Sequence, residues 1–230
     1  MRFSAQRAPK PRPDRDDEIE IIGIEEGKPT SGYIPIGLAT DRGTVECRYY
    51  AVEGAARAAI WVGGAGGGWD SPHNLYPRLC QELKSHGIAS LRVRYRHAAV
   101  LNESILDALA GASFLEGEGV KALALTGWSF GGAVAIGAGA NLSSARTVVT
   151  VATQSYGADT VSGLPRDCSL LLLHGTGDKT LSPACSRFVF DMAHEPKELL
   201  LFEGVNHGLD QAAGRVYPIV RDWIVRELGA

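Results

Sequence analysis

The chain has 230 residues, of which 45% are hydrophobic and 21% are charged, and its formal net charge at pH 7 is −3. This composition excludes a disordered chain, which needs low hydrophobicity and high net charge. The absence of a basic excess argues against a nucleic-acid partner. Glycine usually makes up about 7% of residues, so the 28 glycines here are an excess that needs a cause.

The first 17 residues mix five basic side chains with three prolines and three acids, and no apolar stretch follows. A secretory signal peptide requires such a stretch. We therefore predict a mobile arm over residues 1–17, a single domain over residues 18–230 and a cytoplasmic location. None of the four cysteines forms a Cys-x-x-Cys pair, which favours reduced thiols, although two structural disulfides remain an alternative. No histidine or cysteine cluster has zinc spacing, so we predict no metal site.

From about residue 45, short aliphatic or β-branched runs alternate with helix-like segments. Strands are predicted over residues 45–52, 59–62, 89–95, 122–126, 147–152, 169–173 and 198–202. Helices are predicted over residues 74–86, 103–115, 130–140, 183–193 and 212–228. This alternation indicates an α/β fold with a doubly wound, mainly parallel sheet. Two earlier runs, over residues 18–24 and 33–38, are separated by turn residues and predict antiparallel strands at one edge.

Residues 122–145 carry no charged side chain and could be mistaken for a membrane span. Polar residues such as Thr126, Ser129 and Asn141 interrupt the run, and the pattern divides into a strand and then a helix. We therefore predict that this stretch is buried within the domain and that no segment spans a membrane.

The most specific motif is the Gly-Trp-Ser-Phe-Gly sequence of residues 127–131, which lies between a predicted strand and a predicted helix. A Gly-x-Ser-x-Gly motif in this context is typical of a nucleophile on a sharp turn. We predict that Ser129 is this nucleophile. The alternative is a glycine-lined turn whose serine only caps the helix.

A serine nucleophile needs a histidine base that a carboxylate orients. Of the downstream histidines, His207 is predicted to be the base, because a loop after the last strand can carry it over the sheet edge; His174 and His194 are the others. Asp178, in a glycine-containing turn after a predicted strand, is predicted to be the acid. Asp159 and Asp210 are weaker candidates.

The Gly-Gly-Ala-Gly-Gly-Gly run of residues 63–68 follows another predicted strand. Its free backbone N–H groups suit an oxyanion hole, for which we predict the N–H groups of Ala65 and Phe130 as donors. A phosphate-binding loop is the rival interpretation. It would need Gly-Lys-Ser/Thr or a Gly-x-Gly-x-x-Gly spacing, and neither is present.

From about residue 45 to the C terminus, these motifs resemble those of the α/β-hydrolases in order and spacing. The Ser-Phe-Gly-Gly run of residues 129–132 and the segment 174–178 are most similar to small dienelactone-hydrolase-like serine hydrolases. The resemblance implies an eight-stranded sheet, hydrolysis through an acyl-enzyme and no cofactor. Many relatives have His-Gly where this chain has Gly63 and Gly64. Dienelactone hydrolases proper use a cysteine nucleophile where this chain has Ser129. This difference favours carboxylic esters over dienelactones as substrates.

Many α/β-hydrolases insert a lid after the sixth strand, but residues 154–167 are too few for a lid domain. We therefore predict an open, shallow site. Five apolar side chains are candidates for its walls, with plain core packing as the alternative for each: Trp69, Trp128, Phe130, Tyr156 and Leu181.

The predicted function is hydrolysis of a carboxylic ester of a small molecule by a Ser129, His207 and Asp178 triad. A peptidase, thioesterase or acyltransferase could use the same triad. A non-catalytic binding protein on a hydrolase scaffold is a further alternative. The sequence does not predict the oligomeric state.

Overall fold

The computed structural model describes residues 18–229, and the predicted arm over residues 1–17 lies outside them. One sheet of nine strands runs through the described residues. Its strands are β1 (Ile21–Glu26), β2 (Ile34–Thr40), β3 (Gly43–Tyr50), β4 (Arg57–Val62), β5 (Ile88–Arg94), β6 (Ala122–Trp128), β7 (Ala145–Val151), β8 (Ser169–Gly175) and β9 (Lys197–Phe202). Its helices are α1 (Leu75–Leu83), α2 (Leu101–Gly117), α3 (Phe130–Ala140), α4 (Ala184–Met192) and α5 (Ala213–Glu227).

The sheet has the strand order β1-β2-β3-β5-β4-β6-β7-β8-β9. Strands β1, β2 and β3 pair in antiparallel fashion, and β3 pairs antiparallel with β5; the remaining pairs are parallel. The doubly wound, mainly parallel sheet is therefore confirmed. The implied count of eight strands is wrong by one, because the two early runs form β1 and β2 at one end of the sheet.

Two hydrophobic cores cover the two faces of the sheet. Along β4, Ala58, Ile60 and Val62 belong to the core that contains residues of α2, α3 and α4. The intervening Ala59 and Trp61 belong to the core that contains residues of α1 and α5. Side chains alternate between the faces of a strand, so helices on both sides explain why β4 is apolar without interruption from Ala58 to Val62.

The charge-free stretch is divided, as predicted, between strand β6 and helix α3. Glycine and alanine dominate α3 and let it pack closely on the sheet: all but its last residue, Ala140, are buried. Within residues 18–229, no helix has both the length and the apolar character needed to cross a bilayer.

Parallel strands place their carboxyl ends at one edge of the sheet, where ligands usually bind. Four strands are followed there by the predicted chemistry: β4 by the glycine-rich run, β6 by Ser129, β8 by Asp178 and β9 by His207. In the segment predicted to be too short for a lid domain, the only helical element is a 3-10 turn, Asp159–Gly163.

Candidate active site

Ser129 occupies a strained turn between β6 and α3. Its φ of 58° and ψ of −120° lie in a region that residues with a side chain rarely adopt. Two hydrogen bonds hold the turn: the Ser129 N–H donates to the Val151 carbonyl at 2.8 Å, and the Ser129 carbonyl accepts from the Gly132 N–H at 3.0 Å. The hydroxyl makes no capping bond to α3. The helix-cap alternative is therefore not what the structure shows.

The glycines that flank Ser129 are required by close backbone contacts. A Cβ atom on Gly127 would overlap the carbonyl of Gly131, and a Cβ on Gly131 would overlap the carbonyl of Gly63. Only glycine fits where backbone approaches this closely. The motif thus brings the start of α3 against the end of β4.

Asp178 and His207 form a direct hydrogen bond. His207 Nδ1 lies 2.6 Å from Asp178 Oδ2, and the Asp178 side chain is fully buried. The other carboxylate oxygen, Oδ1, accepts from the N–H groups of Thr180 at 2.8 Å and Leu181 at 2.9 Å. Burial alone would raise the pKa of Asp178. The hydrogen bonds from His207, Leu181 and Thr180 outweigh burial and hold the pKa below its ordinary value, so the carboxylate stays ionised.

The loops that carry Asp178 and His207 touch through their backbones. Gly177 N–H donates to the Val205 carbonyl at 3.0 Å, and Thr176 N–H donates to the Phe202 carbonyl at 2.8 Å. A Cβ on Gly175 would overlap the Val205 carbonyl. Close approach of the two loops is what places the imidazole within reach of the carboxylate.

His207 also contacts the residue before Ser129. The ring centroids of Trp128 and His207 are 5.5 Å apart, and Trp128 Nε1 donates to the His207 carbonyl at 3.4 Å. The His207 side chain is 18% exposed, so it can meet both solvent and a bound molecule. Trp128, which directly precedes Ser129, therefore connects the serine turn to His207.

The other acid and base candidates lie in different surroundings. The Asp210 carboxylate contacts His73 and accepts a hydrogen bond from Asn206, and Asp159 begins the 3-10 turn. The His194 ring contacts two backbone carbonyls, at Leu164 and Glu195. None of these candidates contacts His207 or Asp178 in the hydrogen bonds of residues 18–229.

His174 is a residue whose contact the sequence analysis missed. Its Nε2 lies 3.1 Å from Asp178 Oδ2, the oxygen that also contacts His207, and its side chain is fully buried. The Leu-His-Gly-Thr-Gly-Asp sequence put both residues in one segment, but an i,i+4 spacing across a strand end and a turn does not predict a contact.

The glycine-rich run lies against the serine turn. A Cβ on Gly64 would come within 3.4 Å of the Trp128 ring and 3.8 Å of the Ser129 Cβ. Two tyrosine side chains hold the start of this run. Tyr95 Oη donates to the Gly63 carbonyl at 2.8 Å, and Tyr76 Oη donates to the Val62 carbonyl at 3.2 Å. Two tyrosine hydroxyls therefore hold the end of β4 and the first residue of the glycine-rich run.

Of the two predicted oxyanion donors, Phe130 directly follows Ser129, and Ala65 belongs to the glycine-rich run that lies against the serine turn. Phe130 is the first residue of α3, so its N–H has no acceptor within the helix. Its ring contacts the Tyr95 ring edge-on, with centroids 5.7 Å apart. Ala65 is exposed in the glycine-rich run, next to Gly64. Their role as donors stays a prediction.

The residues predicted to form the apolar walls of the site lie in different parts of the structure. Trp128 contacts His207, and the backbone of Leu181 holds both Asp178 and His174. Tyr156 is 80% exposed, in a segment whose Gln154 N–H donates to the Ser129 carbonyl at 3.4 Å.

Trp69 has different neighbours from the other wall candidates. The Arg48 guanidinium lies 4.1 Å from the centroid of its ring, and the two side chains line a cavity of about 500 Å³ beside β2 and β3. Its carbonyl accepts a hydrogen bond from Arg92, which is buried. Its role as a substrate contact stays a prediction.

Within residues 18–229, no group of three or more histidine, cysteine or acidic side chains is arranged to hold a metal ion. All four cysteines are free thiols, and three of them are buried.

Known proteins match this chain in structure but not in sequence. No protein-family model matches it, and no curated protein matches it. The dienelactone hydrolase of Anabaena variabilis superposes with a TM-score of 0.73 at 15% identity, covering 85% of this chain and 98% of that one. The Pyrococcus furiosus esterase Pf2001 gives a TM-score of 0.71 at 16% identity, with 84% and 92% covered. XC6422 from Xanthomonas campestris, an α/β serine hydrolase without lid, gives 0.68 at 18%, with 88% and 99% covered.

Identities this low show the fold alone. The chain therefore has the α/β-hydrolase fold, without a lid domain in residues 154–167, as the sequence predicted.

Proposed function

We propose that this chain is a serine hydrolase that cleaves carboxylic esters of small molecules, with Ser129 as nucleophile, His207 as base and Asp178 as the orienting acid. One observation carries the proposal: the 2.6 Å hydrogen bond between buried Asp178 and His207, beside the strained turn of Ser129. It is supported by structural neighbours whose names include an esterase and a dienelactone hydrolase.

Acylation begins when His207 Nε2 takes the hydroxyl proton of Ser129 as Oγ attacks the ester carbonyl. The Asp178 hydrogen bond keeps the His207 proton on Nδ1, which leaves Nε2 free to accept. The ionised carboxylate then stabilises the imidazolium that forms. The lowered pKa of Asp178 keeps the carboxylate charged throughout.

The carbonyl oxygen becomes negatively charged in the tetrahedral intermediate. We assign its stabilisation to the N–H groups of Phe130, at the start of α3, and Ala65, in the glycine-rich run. Removing a single oxyanion donor lowers kcat by about a hundred- to a thousand-fold in a serine protease. His207 then gives its proton to the leaving alcohol. A water activated by the same imidazole hydrolyses the acyl-enzyme and restores Ser129.

The substrate class follows from the nucleophile and the surroundings of the site. A serine alkoxide attacks carboxylic esters readily, and the indole of Trp128 next to the acid–base pair offers an apolar contact for the acyl or alcohol group. Without a lid domain, the site is open to small ester substrates of varied shape.

Covalent labelling with a fluorophosphonate probe tests the proposal. Wild-type protein should be labelled by the probe and should hydrolyse a short-chain chromogenic ester. Ser129→Ala should show neither labelling nor hydrolysis. Ser162→Ala changes an exposed serine of the 3-10 turn and serves as the matched control. Folded wild type that is neither labelled nor active would overturn the proposal. A panel of esters, thioesters and aminoacyl amides would show whether a thioesterase or peptidase activity exceeds ester hydrolysis.

A further inference from the structure

Two imidazoles share one carboxylate oxygen in this site. Asp178 Oδ2 lies 2.6 Å from His207 Nδ1 and 3.1 Å from His174 Nε2. The proposed triad uses only His207. His174, at the end of β8, has a fully buried side chain and no direct part in the triad chemistry.

The hydrogen bonds of His174 define its tautomer. Its Nε2 faces two groups that only accept, the Asp178 carboxylate and the Leu181 carbonyl, each at 3.1 Å. Nε2 therefore carries a proton. Its Nδ1 lies 2.6 Å from Ser186 Oγ in α4, and this hydroxyl can donate to the lone pair of Nδ1. All three contacts fit a neutral imidazole that donates from Nε2.

Burial favours the neutral form of this ring. It lowers the pKa of His174 even though the Leu181 carbonyl and the Asp178 carboxylate both act to raise it. Among the described residues, the titratable groups that face His174 are Asp178 and His207, while α4 contributes only the Ser186 hydroxyl.

We propose that His174 is a positioning residue, a neutral N–H donor that fixes the Asp178 carboxylate and withdraws part of its negative charge from His207. A carboxylate that accepts another hydrogen bond is a weaker base and stabilises a neighbouring imidazolium less. His174 thereby weakens the stabilisation that Asp178 gives to a protonated His207. The effect on turnover rests on the proposed function, whereas the hydrogen bonding does not.

The tautomer can be tested in wild-type protein by NMR of ¹⁵N-labelled histidine between pH 5 and pH 9. The proposal expects His174 to stay neutral with its proton on Nε2 throughout. A His174 that carries its proton on Nδ1, or that becomes positively charged within this range, overturns the proposal. This measurement needs no activity and no variant.

Two substitutions at one position test the consequence. His174→Gln keeps a donor for Asp178 and an acceptor for Ser186, while His174→Leu removes both. In His174→Leu, the acid limb of the kcat/KM profile should move to higher pH by about one unit, with a lower kcat. In His174→Gln it should stay close to the wild-type position. Equal shifts in both variants, or no shift in either, would overturn the proposal.

These outcomes are distinguishable from failure of the proposed function. If the protein hydrolyses no ester, the pH response of His207 can still be compared by NMR between wild type and the two variants. If His174→Leu does not fold, the tautomer measured in wild type and the position of the acid limb in His174→Gln decide the proposal.

Discussion

The antiparallel strands β1–β3 differ in construction from the loops that follow the parallel strands. At the loops, carbonyl groups of other segments occupy the place of a side chain at Gly131 and Gly175. In β2, a Cβ on Gly37 would meet only side-chain atoms, the nearest being the Glu25 Cβ at 3.6 Å. The geometry of the site therefore depends on close backbone contacts that a side chain at these glycines would break. The antiparallel edge of the sheet depends on ordinary side-chain packing.

In the comparison of these two regions, Asp178→Asn is expected to cause the largest loss of activity. The amide would place an N–H where His207 needs an acceptor, so the imidazole would lose its orientation and its charge partner. We expect kcat/KM to fall by about a thousand- to ten-thousand-fold. Asp41→Asn, in the turn after β2, is the matched control and should stay within about twofold of wild type. More than a tenth of wild-type activity in Asp178→Asn would contradict the assignment.

A direct comparison of the two regions uses the same glycine-to-alanine change in each. Gly175→Ala should push the His207 loop away from Asp178, and a displacement near 1 Å can cost about a hundredfold in rate. Gly37→Ala should leave kcat/KM unchanged. Circular dichroism and ester kinetics on both variants check this prediction. Similar losses at the two positions would remove the contrast.

A smaller effect is expected where a side chain supports the backbone of the glycine-rich run. Tyr95→Phe removes the hydroxyl that donates to the Gly63 carbonyl. One hydrogen bond contributes about 0.5–1.5 kcal/mol, so we expect kcat to fall by about two- to tenfold with little change in KM. Tyr49→Phe in β3, whose ring packs on Phe114, is the control. An equal response of the two variants would mean that the run needs no such anchor.

The smallest predicted effect is on stability at low pH. Because the pKa of Asp178 is lowered on folding, its ionisation stabilises the native state fully above the ordinary value of about 3.9. That contribution is lost as the pH falls through the lower folded-state pKa. The difference in free energy of unfolding between wild type and Asp178→Asn should therefore shrink from pH 6 to pH 3, as measured by urea titration. A constant difference would contradict the pKa direction.

Local patterns predicted the strands and the helices, and they placed Ser129, Asp178 and His207 in the turns that follow β6, β8 and β9. The turn at Ser129 could be predicted because the flanking glycines, the strand and the helix are all contiguous in sequence. Asp178 and His207 could be paired because parallel topology brings the ends of β8 and β9 to one edge. The hydrogen bond between them agrees with that expectation.

The contacts of individual side chains could not be predicted in this way. The bond from Tyr95 to Gly63 joins residues 32 positions apart, and the ring of Trp69 packs on Arg48 of β3. The second imidazole on Asp178 depends on how the β8 turn folds back beneath Leu181. Such contacts depend on the three-dimensional course of the loops, which residue type and spacing do not encode.

The central claim is that Ser129 becomes acylated during ester hydrolysis. Intact-protein mass spectrometry after rapid mixing with a slowly hydrolysed ester, followed by peptide mapping, measures this directly. We expect a transient adduct with the mass of the acyl group on Ser129, absent from Ser129→Ala and slower to form in Asp178→Asn. Undiminished ester turnover in Ser129→Ala, or an adduct mapped to another residue, would contradict the account.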